Sequence, residues 1–283
     1  MKQEDLAVPP AGWANSIQPY RATPLQAVLS FIKKTLVITD LEARKLRHDP
    51  SELATRAIQP ILWLLVFGQV FTRTRAIPTG NLPYIDFMAP GILAQSVLFI
   101  AIFYGLTVIW ERDLGVIHKF LVSPTPRAAL VLGKSLSAGV RGFVQAFIIY
   151  ILALLMGVKV SSNPLYLVGV FVMVLLGAAF FSTFSLVIAC LVKTRERFMG
   201  IGQVLTMPLF FASNSIYPIA IMPGWLQVIA KGNPLSYEVD ALRAMMLANG
   251  TSTFGLGVDF AVLFIATAIM IAIASYLYPK VVI

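Results

Sequence analysis

Charge is what this sequence has least of. Only 12% of its 283 residues are Asp, Glu, Lys or Arg, about half of the roughly 25% usual in soluble domains. Cysteine occurs once, at Cys190, which excludes a disulfide framework and any multi-cysteine metal site. Histidine occurs twice, and His48 and His118 stand seventy positions apart with no acidic neighbours arranged as ligands, so no metal site is expected. No acid, base and nucleophile converge in the pattern, which argues against a membrane-embedded enzyme. No short apolar core follows a basic start, so no cleavable signal peptide is expected. What is abundant is apolar: 58% of the residues are hydrophobic and the mean hydropathy is +0.82. A soluble fold could not cover that much apolar surface with so few charges, so the composition predicts an integral membrane protein.

Six apolar stretches follow a polar start, at about Ala57–Thr72, Phe87–Trp110, Gly142–Val158, Leu165–Val192, Phe198–Met222 and Phe260–Tyr278. About 20 apolar residues cross a hydrocarbon core of roughly 30 Å. Four stretches meet that easily. The first is interrupted by Gln59 and Pro60, and the third extends only if the stem of Arg141 carries its charge back to the interface. We assign six transmembrane helices and an all-α membrane fold, with residues 1–52 a cytoplasmic segment and 53–283 the transmembrane domain. An even number of spans puts both termini on one side. Seventeen of the 22 basic residues fall on that side, against Arg73, Arg75, Lys159, Lys231 and Arg243 on the other, so both termini are expected in the cytoplasm. The net charge of +9 is then largely topological, and no nucleic-acid partner is implied.

Two cytoplasmic pieces carry more pattern than a connector needs. Leu25, Val28, Leu29, Ile32 and Leu36 recur at helical spacing, with Pro24 in the first turn and Thr23 as its cap. Lys33, Lys34, Arg44, Lys45 and Arg47 cluster on and after that helix. Such a helix rests in the headgroup interface with its apolar face down, either as an anchor alone or also as a contact for a cytoplasmic partner. The second piece, Glu111–Lys134, begins with Glu111-Arg112-Asp113-Leu114-Gly115. A short amphipathic turn follows, with Leu114, Ile117 and Leu121 on one side and His118 and Lys119 exposed. Ser123-Pro124-Thr125-Pro126 breaks it. This is a charged elbow held close to the membrane, long enough to be a docking surface.

These residues resemble a family. Glu111-Arg112-Asp113-Leu114-Gly115 with Phe120-Leu121-Val122-Ser123-Pro124 and Gly133-Lys134 is similar to the signature of ABC-2-type permeases, the membrane subunits of one class of ATP-binding-cassette exporters. Asn233-Pro234-Leu235-Ser236-Tyr237, followed by Asp240-Ala241-Leu242-Arg243, resembles that family's segment before its last span. Ile216-Tyr217-Pro218 and Met222-Pro223-Gly224-Trp225-Leu226 resemble the turn leaving its fifth. The resemblance covers about residues 20–280 and points to the daunorubicin-resistance and nodulation-type branch. It implies a multi-pass protein of the inner (plasma) membrane, working as a homodimer above two copies of a separate ABC ATPase subunit.

An energy source inside this chain has one decoy. Gly133-Lys134-Ser135 looks like the end of a phosphate-binding loop, but the motif needs a glycine five residues before Gly133, and that position is Ala128. A Lys reaching back to the interface at a helix start is the ordinary reading. This chain is therefore expected to bind no cofactor itself, with ATP and Mg on the partner ATPase.

The resemblance also places the second and fifth helices at the dimer interface, where the transport path runs. Gln95, Phe99, Phe103, Phe210, Phe211 and Asn214 would line it, and Pro208 should kink the fifth helix. That lining lacks charge and suits a hydrophobic substrate, drug-like or lipid. Relatives that export polysaccharide or glycolipid stay open, as does, more remotely, an ion-coupled carrier. The outer connection, about Pro223–Asp259, reads as two short re-entrant helices, one at Trp225–Ala230. The other runs Ser236–Leu247, with Ser236 as N-cap and Glu238 in its first turn. They serve either as a lid on the path or as a stabilising cap.

Overall fold

The computed structural model describes residues 24–48, 51–75, 77–80, 82–117, 122 and 125–279. Among these residues there is no strand. A single backbone bridge, Val160 with Leu247, ties two outer connections together. Helix α1 (Pro24–His48) packs on α5 (Arg127–Leu155). Its Thr35, Ile38 and Thr39 face makes that contact, and a Cβ at Gly133 would collide with Ile38 and the Thr35 carbonyl. Only a residue without a side chain allows the two helices this approach. The predicted apolar face, from Leu25 through Leu36, is left exposed, as an interfacial helix requires.

The first apolar stretch is one continuous helix of three parts. These are α2 (Ser51–Leu62), a π-helical segment Trp63–Gly68, and α3 (Gln69–Thr74). The π segment follows shortly after Pro60, whose ring removes one rung of the hydrogen-bond ladder. Helix α4 (Tyr84–Asp113) runs three residues beyond its expected range at each end. Helix α5 departs further: it begins at Arg127 rather than Gly142, so Lys134 and Arg141 lie two and four turns inside it. Helix α6 (Pro164–Leu191) starts with Pro164 behind Asn163, whose side chain accepts from Leu165 N at 3.0 Å.

Helix α7 (Arg195–Phe211) stops eleven residues short of the expected Met222. Pro208 weakens its last turn, and the hydroxyl of Ser213 then donates to Phe210 O at 2.7 Å, drawing the chain out of the helix. At 17 residues it spans about 26 Å. The outer connection holds α8 (Gly224–Gly232) and α9 (Pro234–Met246), before α10 (Leu256–Leu277). Asn233, not Ser236, caps α9, because Pro234 suits the first helical position and Asn233 Oδ1 accepts from Leu235 N at 3.0 Å.

Among the described residues four helices, α4, α5, α6 and α10, are long and apolar enough to cross a membrane. Helix α4 is the axis of the bundle, with 78% of its most apolar stretch buried against 17% for α10 at the rim. Around α4 pack α5, α6, α7 and α9. The crossing of α4 and α6 is close. A Cβ at Gly105 would strike the Ser185 hydroxyl and Phe198, and Ser185 donates to the Ile102 carbonyl. This packing brings the Asp113 end of α4 together with α5 and the α6–α7 connection, and closes its Tyr84 end with α9.

Candidate functional site

At the Asp113 end of α4, α4 and α5 are joined by a run of polar contacts through otherwise apolar packing. Glu111 accepts from Lys134 Nζ at 2.5 Å, with 9% and 4% of the two side chains exposed. One turn further along α5, the hydroxyls of Ser137 and Tyr104 meet at 2.9 Å, and the Arg141 guanidinium stacks 4.7 Å from the centre of the Tyr104 ring. Tyr278, at the end of α10, is buried in the apolar cluster on this side. Three expectations change here. Glu111 is turned inward rather than presented at the elbow's tip, Lys134 does not reach back to the interface, and Arg141 is buried. The reason is spacing. Arg127, Lys134 and Arg141 are seven apart, which is nearly two helical turns, so one face of α5 carries the charges and meets Glu111 and Tyr104.

The next two elbow residues are also held within the chain. Arg112 donates to the carbonyls of Val192 at 3.1 Å and Lys193 at 2.6 Å. Asp113 bridges Arg112 at 3.1 Å and Arg195 at 2.8 Å, and Arg195 stacks 4.9 Å over Trp110. The end of α4 is thereby tied to the start of α7. Gly115 turns the chain at φ +70° with nothing within 4 Å of a built Cβ, so it serves the backbone turn and not a close approach. His118 and Lys119 lie outside the described residues. On α1, Lys33 and Arg44 are exposed and Lys34 is half-buried. Arg44 pairs with Asp40 at 2.9 Å. The side chains of Lys45 and Arg47 are outside the described set. Among the described residues, no three His, Cys, Asp or Glu side chains gather as metal ligands. These contacts tie the ends of α4, α5 and α7 to one another.

The expected path residues divide into two groups. Phe99 and Phe103 stack at 6.4 Å between ring centres on a half-open stripe of α4, and Phe211 is exposed. Gln95, Phe210 and Asn214 do not face that stripe. They are buried within the protomer, where Phe210 packs edge-on to Trp63 and Asn214 donates to Asp240 at 3.4 Å.

The connection between α7 and α10 holds buried charges whose partners the sequence reading did not assign. Glu238, Asp240 and Asp259 are fully buried and Arg243 nearly so. Glu238 lies against Gly177 of α6, and burial pushes its carboxyl well above the usual range. Asp240 accepts from the backbone N–H groups of Thr253 at 2.6 Å and Phe254 at 3.0 Å, and from the hydroxyls of Ser252 and Thr253, each at 3.0 Å. It thereby holds the loop that leads into α10. A signal was present: Leu235, Val239, Leu242 and Met245 repeat at 3.6-residue period around these charges, and a helix with apolar residues on every turn is a buried one.

Comparison with known proteins fits this arrangement. The family model described as ABC-2 type transporter matches residues 33–247. The ycf38 transport permease of Cyanophora paradoxa is 30% identical over 75% of this chain and 74% of its own length. The daunorubicin resistance ABC transporter permease protein DrrB1 of Streptomyces coeruleorubidus is 27% identical over 84% of this chain and 80% of its own. The doxorubicin resistance permease DrrC of Mycobacterium tuberculosis is 24% identical over 77% and 78%. The match runs from the interface helix through the outer helices, and the chain belongs to the ABC-2 type transporter family, as a membrane permease.

Proposed function

We propose that this permease is the membrane half of an exporter that moves a hydrophobic or amphipathic molecule, drug-like or lipid, outward on ATP hydrolysed by a separate subunit. The observation that carries this reading is the single uncovered stripe of α4. Phe99, Phe103, Leu106, Thr107 and Trp110 recur along one side of a helix that is otherwise buried. Neighbouring α7 exposes Met199, Gln203, Val204 and Phe211. A second copy covers both, and the seam between the copies is the path, aromatic and without charge. The relatives named for daunorubicin and doxorubicin resistance support a substrate of that class. Two ATPase copies carry ATP and Mg and dock below, against the elbow at 111–123 and the basic side of α1.

The decisive measurement is export in reconstituted vesicles. Substrate movement is expected only with the ATPase, ATP and Mg present. Movement by the permease alone, driven by a pH or sodium gradient, would mean an ion-coupled carrier instead.

In this reading the chain crosses the inner membrane six times, with the helix of α2 and α3 and the shorter α7 joining the four long spans. Topology is checked by single cysteines in a Cys190-free background. Those at Ala43, Arg127 and Thr194 are expected to label from the cytoplasm only, and those at Thr79, Ser161 and Asn249 from outside only. A reversal in either set overturns six spans.

A further inference from the structure

A cavity of about 330 Å³ opens at the outer end, between the strap at Pro78–Leu82, the turn at Pro218–Ala220 and the loop before α10. That volume is at the lower end of what small-molecule sites occupy. Its walls are mostly apolar, with Leu82, Phe87 and Ile219 among them, and one charge lines it, Arg243. This guanidinium is only 6% exposed. It stacks 3.8 Å from the Phe87 ring centre, and its Nη2 donates to the Asn214 carbonyl at 2.7 Å and the Phe87 carbonyl at 3.4 Å. Its Nε has no acceptor. Among the described residues no carboxylate forms an ion pair with it. Asp240, three residues earlier on α9, is already occupied by four donors from the 252–254 loop. Burial lowers the Arg243 group, and the nearby Asp240 carboxylate, which forms no direct bond with it, opposes that; a guanidinium stays cationic at neutral pH.

A buried charge is normally paired. A guanidinium presents a fork that suits carboxylate and phosphate oxygens. Here carbonyls and a ring are its partners, beside an open space with apolar walls. We propose that this cavity binds the anionic head, carboxylate or phosphate, of an amphipathic molecule, with Arg243 as the group that recognises the head and the Phe87 and Leu82 side taking the apolar body. Phe87, in the first turn of α4, puts the cavity at the end of the helix whose middle carries the Phe99 and Phe103 stripe. The inference rests on the exporter reading for its role, as the station from which substrate leaves, but not for the binding itself.

The test needs no ATPase and no transport. Ala220 lines the cavity and is exposed, so a cysteine there, in the Cys190→Ala background, reports occupancy through its rate of reaction with a thiosulfonate reagent. Octyl phosphate and octanoate are expected to protect it at concentrations about tenfold below octanol, the fold-change of one charge-assisted contact. Arg243→Gln should close that gap, and Arg243→Lys should leave part of it. Leu82→Trp, which fills the cavity without touching the buried charge, should abolish protection by all three. Equal protection by octanol and octyl phosphate in the parent overturns the anionic head. Protection by inorganic phosphate as strong as by octyl phosphate overturns the amphipathic class, leaving a free anion. Unchanged protection in Leu82→Trp overturns the place. Because labelling and export are measured apart, the site and the exporter reading fail separately.

Discussion

Glu111→Ala is expected to destabilise the permease itself and not merely its contact with an ATPase. Glu111 and Lys134 meet at 2.5 Å with almost no exposed side chain. Removing the carboxylate leaves the ammonium charge of Lys134 buried without it, in a region where water cannot readily replace it. Breaking a buried pair from one side costs on the order of 3–5 kcal/mol, a large share of a fold's margin. Thermal unfolding of the purified protein, followed by size-exclusion profile, should shift down by several degrees. Lys134→Met should do the same. Glu111→Leu combined with Lys134→Met should lose much less than the two single effects added, because replacing both charges by apolar groups avoids the stranded ion. The stabilised double variant then separates packing from coupling. If it assembles with the ATPase yet exports poorly, the pair transmits motion as well as holding α4 to α5. If Glu111→Ala melts as the parent does, the pair contributes little and the elbow is a connector.

The second large effect is expected at Asp240, on the opposite side of the membrane. Its carboxylate accepts from two backbone N–H groups, the Thr253 hydroxyl and the Asn214 amide, and shares the Ser252 hydroxyl with Asp259. Asp240→Ala strands the two amides of Thr253 and Phe254. Asp240→Asn, although the same shape, removes the charge that these bonds share and keeps only one acceptor oxygen for the donors of both original oxygens. Bonds to an ionised acceptor are worth about 1.5–3 kcal/mol each, so both variants should lose several kcal/mol and release the 252–255 loop. Limited proteolysis from the outside, together with the melting temperature, measures this. Cleavage in the loop should rise sharply in both variants, and in Asp240→Asn almost as much as in Asp240→Ala. An Asn variant that resists protease like the parent would show that shape, and not charge, holds the loop.

These residues also show where sequence reasoning stops. The stretch Arg127–Arg141 reads as a connector because a charge recurs every seventh position. In a straight chain such a run looks too polar for a membrane, but on a helix those charges share one face, and Glu111, sixteen positions before Arg127, supplies what that face meets. Likewise α9 reads as a re-entrant helix, but its sequence does not say what Glu238, Asp240 and Arg243 meet there. Their burial depends on Gly177 leaving room from α6 and on donors from a loop twelve to fourteen residues further on. Gln95, Phe210 and Asn214 are buried within the protomer, which their spacing alone did not show, for a related reason. Periodicity marks which residues share a side of a helix, but not which neighbour covers that side. Gly115 left two uses open, and only its φ of +70° chose the turn.

What the sequence by itself determined is what depends on local composition and on neighbours a few positions apart. It set a membrane protein of long apolar helices, the apolar face of α1 and the family to which the chain belongs. Caps such as Asn163 and Thr194 could also be read locally, since each needs only an amide two or three residues ahead. The tertiary structure alone decided where charge is buried and what it meets, because the free energy of a buried ion depends on groups brought within a few ångströms by packing. Glu111 with Lys134, Asp113 with Arg195, and Arg243 beside its open cavity are separated in sequence by 23 and 82 positions in the first two cases, and in the third by nothing a sequence records.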